Sequence, residues 1–76
     1  MHPPHPPRLF AHPDGLSPRE AEVLGMAGQG GSNQDIAQAL FLSPRTVQRH
    51  IANVYLKIGA HNRAEATAYA LKHHLA

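Results

Sequence analysis

Three observations predict an all-α domain, a four-helix bundle that contains a helix-turn-helix. Four helix-start signals recur along the chain, at Ser17-Pro18, Ser32, Ser43-Pro44 and Asn62. Apolar residues after each start repeat at helical spacing, and alternating strand patterns are missing. The connections between the starts leave turns of about two to five residues, the usual length between packed helices.

The first start reads Ser17-Pro18-Arg19-Glu20. Ser17 caps, Pro18 suits the first helical position, and Glu20 reaches back to complete a capping box. Val23, Leu24 and Ala27 then form an apolar stripe, and the glycines from Gly28 to Gly31 stop the helix. Ser32 opens the second helix, with Asp35 three residues on and Ile36, Ala37 and Leu40 as its buried face; it ends near Phe41. Ser43-Pro44 opens the third, TVQRHIANVYLKI, which Gly59 ends. Asn62 opens the fourth, with Glu65 three residues later, followed by Ala66, Ala70 and Leu75.

Residues 1–15 read differently. Five of the chain's seven prolines fall in the first thirteen positions, and each withholds a donor and restricts the residue before it. This stretch is expected to be a disordered Pro/His-rich linker or tail, with residues 16–76 as the domain. His2, His5 and His12 lack carboxylate or thiolate companions, so no metal site is expected of them. Leu9 and Phe10 are the tail residues suited to docking on the domain.

Composition excludes several functions. There is no cysteine among the 76 residues, which removes disulfides, thiol catalysis and cysteine-based zinc sites. No apolar run is long enough to span a membrane, and no charged start leads into an apolar block, so a cytoplasmic setting is expected. No paired carboxylates, Ser/His/Asp set or metal triad stands out. Gly28, Gly30 and Gly31 follow a helix and lack the Lys-Ser/Thr of a phosphate loop. The chain is therefore not expected to be an enzyme, and no cofactor is expected.

The third helix carries the functional signal. At about 100° per residue, Val47, Ile51, Val54 and Ile58 share one face, and Arg45, Arg49, Ala52 and Leu56 lie opposite, flanked by Gln48 and Asn53. Guanidinium and carboxamide groups are the side chains whose donors and acceptors match guanine and adenine edges in the major groove. Between Ile36 and Ala64 stand Arg45, Arg49, Lys57 and Arg63 and not one acid, although the whole chain carries only +2. A short helix, a tight turn and a longer helix with a polar, acid-free outer face make up the helix-turn-helix pattern.

The run LSPREAEVLGMAGQGGSNQDIAQALFLSPRTVQRHIANVYLKIGAHNRAEA also resembles the LuxR/GerE-type DNA-binding domain of bacterial transcription regulators, from Leu16 to about Leu75. The resemblance implies sequence-specific binding of double-stranded DNA with residues 44–58 as the recognition helix. It implies phosphate contacts from Asn33, Thr46 and Lys57, and base contacts from Gln48, Arg49 and Ala52. Ser43, Arg45 and Asn53 complete the expected DNA-binding set. The fourth helix resembles one that family members use to dimerise, which makes Ala66, Tyr69 and Ala70 the expected seam of a homodimer; packing against the first helix is the alternative use of those small residues. RNA polymerase is a further candidate partner. Two positions depart from the family: Gln48 stands where lysine is common, and Ala52 is too short to hydrogen-bond a base. Leu56 points outward with no role assigned.

The remaining readings are structural. Arg19 and Glu20 suit capping or a salt bridge, His50 suits packing at the edge of the helix, and His73 and His74 suit a helix C-terminus. Tyr55 and Tyr69 read as packing residues. Family members usually carry a sensor domain, so the chain is expected to be a C-terminal effector portion or a lone effector. Two other functions fit the same pattern: the promoter-reading region of a sigma factor, which opens on a similar helix, and a helix-turn-helix used as a protein-interaction module.

Overall fold

The computed structural model describes residues 13–76. The tail readings for His2, His5, His12, Leu9 and Phe10 lie outside the described residues. Four helices follow a single 3-10 turn at Pro13–Gly15: α1 (Pro18–Gly28), α2 (Asn33–Leu40), α3 (Pro44–Ile58) and α4 (Arg63–Lys72). The fold is all-helical, as the sequence predicts, with no strand among the described residues.

Each helix begins where its cap predicts. Ser17 accepts from the Glu20 amide at 3.1 Å while Glu20 accepts from the Ser17 amide at 2.8 Å, a complete capping box. Ser32 and Asp35 form a second one. Ser43 caps α3 by accepting from the Thr46 amide. Asn62 caps α4, but here Glu65 accepts instead from the amide of His61, one residue further back. Two helices end on a left-handed residue. Gly59 does so after α3 at φ 71°, a conformation that glycine adopts without steric cost. Phe41 does so after α2 at φ 57°, and the Leu42 amide closes the turn on the Ala37 carbonyl at 2.9 Å. The helix-turn-helix corner is thus formed by a strained, 96% exposed phenylalanine, a backbone conformation that disfavours side chains by about 1–2 kcal/mol.

Two apolar clusters hold the helices together. Val23 and Ala27 of α1 meet Ile36 and Ala37 of α2 and Val47 of α3, with Met26, Leu40, Leu42 and Ile51 around them. This cluster fixes the angle between α2 and α3. Leu16 and Leu24 meet Val54 of α3 and Ala66 and Ala70 of α4 in the second. Small residues let α1 and α4 approach closely. A Cβ on Gly28 would lie 2.9 Å from that of Ala70, and Gly25 has no room for one against the Leu75 carbonyl.

Pro13–Gly15 are bonded to the helices that follow. Tyr69 donates its hydroxyl proton to Asp14, Lys57 donates to the Gly15 carbonyl, and the Leu16 amide closes the turn on Pro13. Contacts from α3 and α4, remote in sequence, order a segment whose local composition suggests a linker. Among the described residues, no helix is long and apolar enough to cross a membrane.

Candidate nucleic-acid interface

The buried side of α3 is set by Val47 and Val54, which are 0% and 1% exposed. Ile51 and Ile58 pack half-buried beside them. The opposite side is open: Arg45, Gln48, Arg49, Ala52, Asn53 and Leu56 are all exposed. The expected recognition surface is therefore continuous along the helix, and neither guanidinium lies beneath other parts of the chain among the described residues.

Electrostatics leave that surface uncompensated. Each of the five acids is engaged elsewhere: Asp14 with Tyr69, Glu20 with Lys57, Glu22 with Arg19, Asp35 with Ser32 and Glu65 with His61. Arg45 and Arg49 have no carboxylate partner among the described residues. Hydrogen bonds that favour the charged form keep three of the acids ionised. The Ser32 amide holds Asp35 below the usual carboxylate range, and the His61 amide does the same for Glu65. The Lys57 ammonium, followed by the Ser17 amide, lowers Glu20 despite its burial.

The start of α3 presents hydroxyls. Ser43 is exposed, Thr46 is half-buried, and their oxygens lie 2.9 Å apart. The free backbone donors of the first turn lie beside them and suit an anion. Asn33, at the first position of α2, is half-buried, and its Oδ1 is closed off from solvent with no hydrogen-bond partner. What this position offers outward is the helix end more than the side-chain oxygen. Arg63 donates to the Gly31 carbonyl just ahead of α2, tying the start of α4 to the start of the scaffold helix.

Lys57 is bonded within the domain. Its Nζ lies 2.7 Å from Glu20 Oε1 and 3.2 Å from the Gly15 carbonyl oxygen, and the Glu20 side chain is only 7% exposed. Lys57 sits about a quarter-turn from the Arg49 meridian, by the 100° helical step. That offset aims its stem toward α1, where the Glu20 carboxylate and the Gly15 carbonyl meet its ammonium.

Two residues of the expected dimer seam, Ala66 and Ala70, are buried inside the single chain. Ala66 and Ala70 are 1% and 0% exposed, packed against Leu16, Leu24 and Val54. They form the close seam between α4 and α1 inside one chain. Tyr69 is half-buried, stacks on His73 with ring centroids 4.2 Å apart, and is bonded to Asp14. Burial and that bond raise its phenol pKa far above the ordinary value. The outward side of α4 instead carries Ala64, Ala68 and Leu71, spaced at i, i+4 and i+7, with Leu71 59% exposed. The helical period gives this stripe as readily as the buried one; choosing between the two requires knowing which side meets α1. His50 is half-buried at the edge of α3, as expected.

Comparison with known proteins agrees with this geometry. The profile of the family described as "Bacterial regulatory proteins, luxR family" matches residues 14–70. The chain is 43% identical over 58 residues to the transcriptional activator protein BjaR1 of Bradyrhizobium diazoefficiens, covering 76% of this chain and 24% of that one. It is 42% identical over 69 residues to the fimbriae Z protein of Salmonella typhimurium, covering 91% and 33%. It is 36% identical over 62 residues to the transcriptional regulatory protein LiaR of Bacillus subtilis, covering 82% and 29%. The chain thus spans a third or less of these relatives, and 6% of three longer mycobacterial ones.

Proposed function

The chain belongs to the luxR family of bacterial regulatory proteins, a family of DNA-binding domains in transcription regulation and not of enzymes, and from that premise we propose that it reads duplex DNA by laying α3 in the major groove as one half of a homodimer. The observation that carries the reading is the division of α3 into a buried aliphatic side and an exposed side bearing Arg45, Gln48, Arg49 and Asn53 with no acid paired to it. Ser43, Thr46 and the N-termini of α2 and α3 take the phosphates. Arg49 and Gln48 take base edges, and Ala52 meets a thymine methyl.

The test is an Arg49→Ala variant. A good bidentate contact discriminates by about 1–3 kcal/mol, so the variant should lose most of its preference between a selected site and a scrambled duplex. Its urea midpoint should stay put, because Arg49 is exposed. Competition binding at fixed salt reads the first quantity, and unchanged preference would sink the assignment.

For the dimer, the outward stripe of α4 is the surface of choice: Ala64 and Ala68 permit close approach of a second helix, and Leu71 supplies apolar area. Two copies joined there would favour half-sites about 10 base pairs apart. Leu71→Asp should leave the fold intact and abolish cooperative occupancy of a two-half-site duplex, while a single half-site is bound as before. Sedimentation of the complex would show one copy per duplex where the unaltered chain shows two. Activation, repression, a cytoplasmic setting and contact with RNA polymerase belong to the proposal for the longer regulator, with DNA as the partner nearest to the geometry.

A further inference from the structure

Only three large apolar side chains are strongly exposed among the described residues: Phe41, Leu56 and Leu71. Phe41 forms the left-handed corner after α2, and Leu71 lies on the outward stripe of α4. Leu56 is different, because it stands in the row of arginines. It follows Arg45 by eleven residues and Arg49 by seven, which at 100° per residue places all three within about 40° on one side of α3. Its Cα lies about 10 Å beyond that of Arg49 along the axis, at 1.5 Å per residue. It is 83% exposed, and the residues that pack this end of α3 into the core are Val54, Tyr55 and Ile58.

We propose that Leu56 is a base-reading residue whose isobutyl group packs against the 5-methyl of a thymine, so that the far end of α3 distinguishes thymine by apolar contact. The inference rests on the placement of α3 in the major groove. Two features of the structure support it. The thymine methyl is the one apolar group that base edges present in that groove, and a leucine among arginines has no hydrogen bond to offer any other. Lys57, the cation next to it, is turned onto Glu20 and the Gly15 carbonyl. The last turn of α3 therefore brings no charge to its outer side, and contact there depends on removing the exposed leucine from water.

The test uses duplexes selected by the unaltered chain from a random pool. Thymines of one half-site are replaced one at a time by deoxyuridine, which removes the methyl alone. Burying one methyl group changes affinity about fourfold, so one replacement should weaken binding by that factor. Its position should be offset by about two base pairs from any methyl sensed by Ala52, since Leu56 lies four residues, or about 6 Å, further along the helix. Leu56→Ala should bind the thymine and deoxyuridine duplexes at that position equally. A Leu56→Ala variant that retains the full methyl effect at every thymine would overturn the inference, as would an unaltered chain indifferent to all replacements in that part of the site. Absence of sequence preference in the unaltered chain would overturn the major-groove reading and this inference with it, a result distinct from either of the others.

Discussion

Lys57→Met should lower the stability of the domain by about 1–2 kcal/mol and leave the salt dependence of DNA binding unchanged, because removing the partly exposed cation leaves the buried Glu20 charge uncompensated, while solvent screens part of the loss. Methionine keeps much of the apolar stem and removes the ammonium. Glu20 would then retain its bond from the Ser17 amide but face the core with a side chain only 7% exposed and no cation. The Gly15 carbonyl loses its donor at the same time.

The pH dependence follows from the sign of the shift. Glu20 titrates lower in the folded chain than in the unfolded one. Its contribution is therefore present above the ordinary carboxylate range, near pH 4.3, and lost as pH falls through the lower folded value. The unaltered chain should lose stability on acidification below about pH 4.3, and Lys57→Met should lose less, with Asp35 and Glu65 supplying the remainder. Were Lys57 a phosphate contact, the variant would keep its stability and its salt slope would fall by about one. Urea titrations at neutral and acidic pH, paired with binding at several salt concentrations, separate the two cases.

The contrast between Lys57 and Ser17 marks what the sequence could convey. Ser17 and Glu20 are three residues apart, and a capping box is settled by that spacing alone. The starts of all four helices were legible from such local caps, as was the division of α3 into two sides from its period. Lys57 and Glu20 are 37 residues apart, and nothing local says which way a lysine on the flank of an amphipathic helix will turn. The bonds of Pro13–Gly15 were hidden similarly, since their partners belong to α3 and α4. Ala66 and Ala70 show a third kind of limit. Small residues permit close helix packing whether the second helix is α1 or another chain, and here it is α1. Leu71 carried no signal because a single leucine near the end of a short helix reads as core.

Ile36→Ala should remove about 3–4 kcal/mol, within the 2–5 kcal/mol range for truncating a buried isoleucine. Ile36 is 0% exposed, lies among Val23, Ala27, Ala37 and Val47, and joins the scaffold helix to both α1 and the reading helix. A domain of this size has on the order of 5 kcal/mol to lose, so more than half its stability would go. The urea midpoint should fall accordingly. Ile36 touches no part of the outer side of α3, and its effect on DNA should pass wholly through the folded fraction. Apparent affinity should therefore fall steeply in mild urea and return to within about twofold of the unaltered chain in sucrose, which favours the compact state. Arg49→Ala should show the reverse pattern, a loss of preference that no stabilising solute restores. If Ile36→Ala stayed weak at full folding, the α2–α3 corner would be setting the aim of the arginines as well as holding the domain together, and the separation of core from reading surface on α3 would not stand.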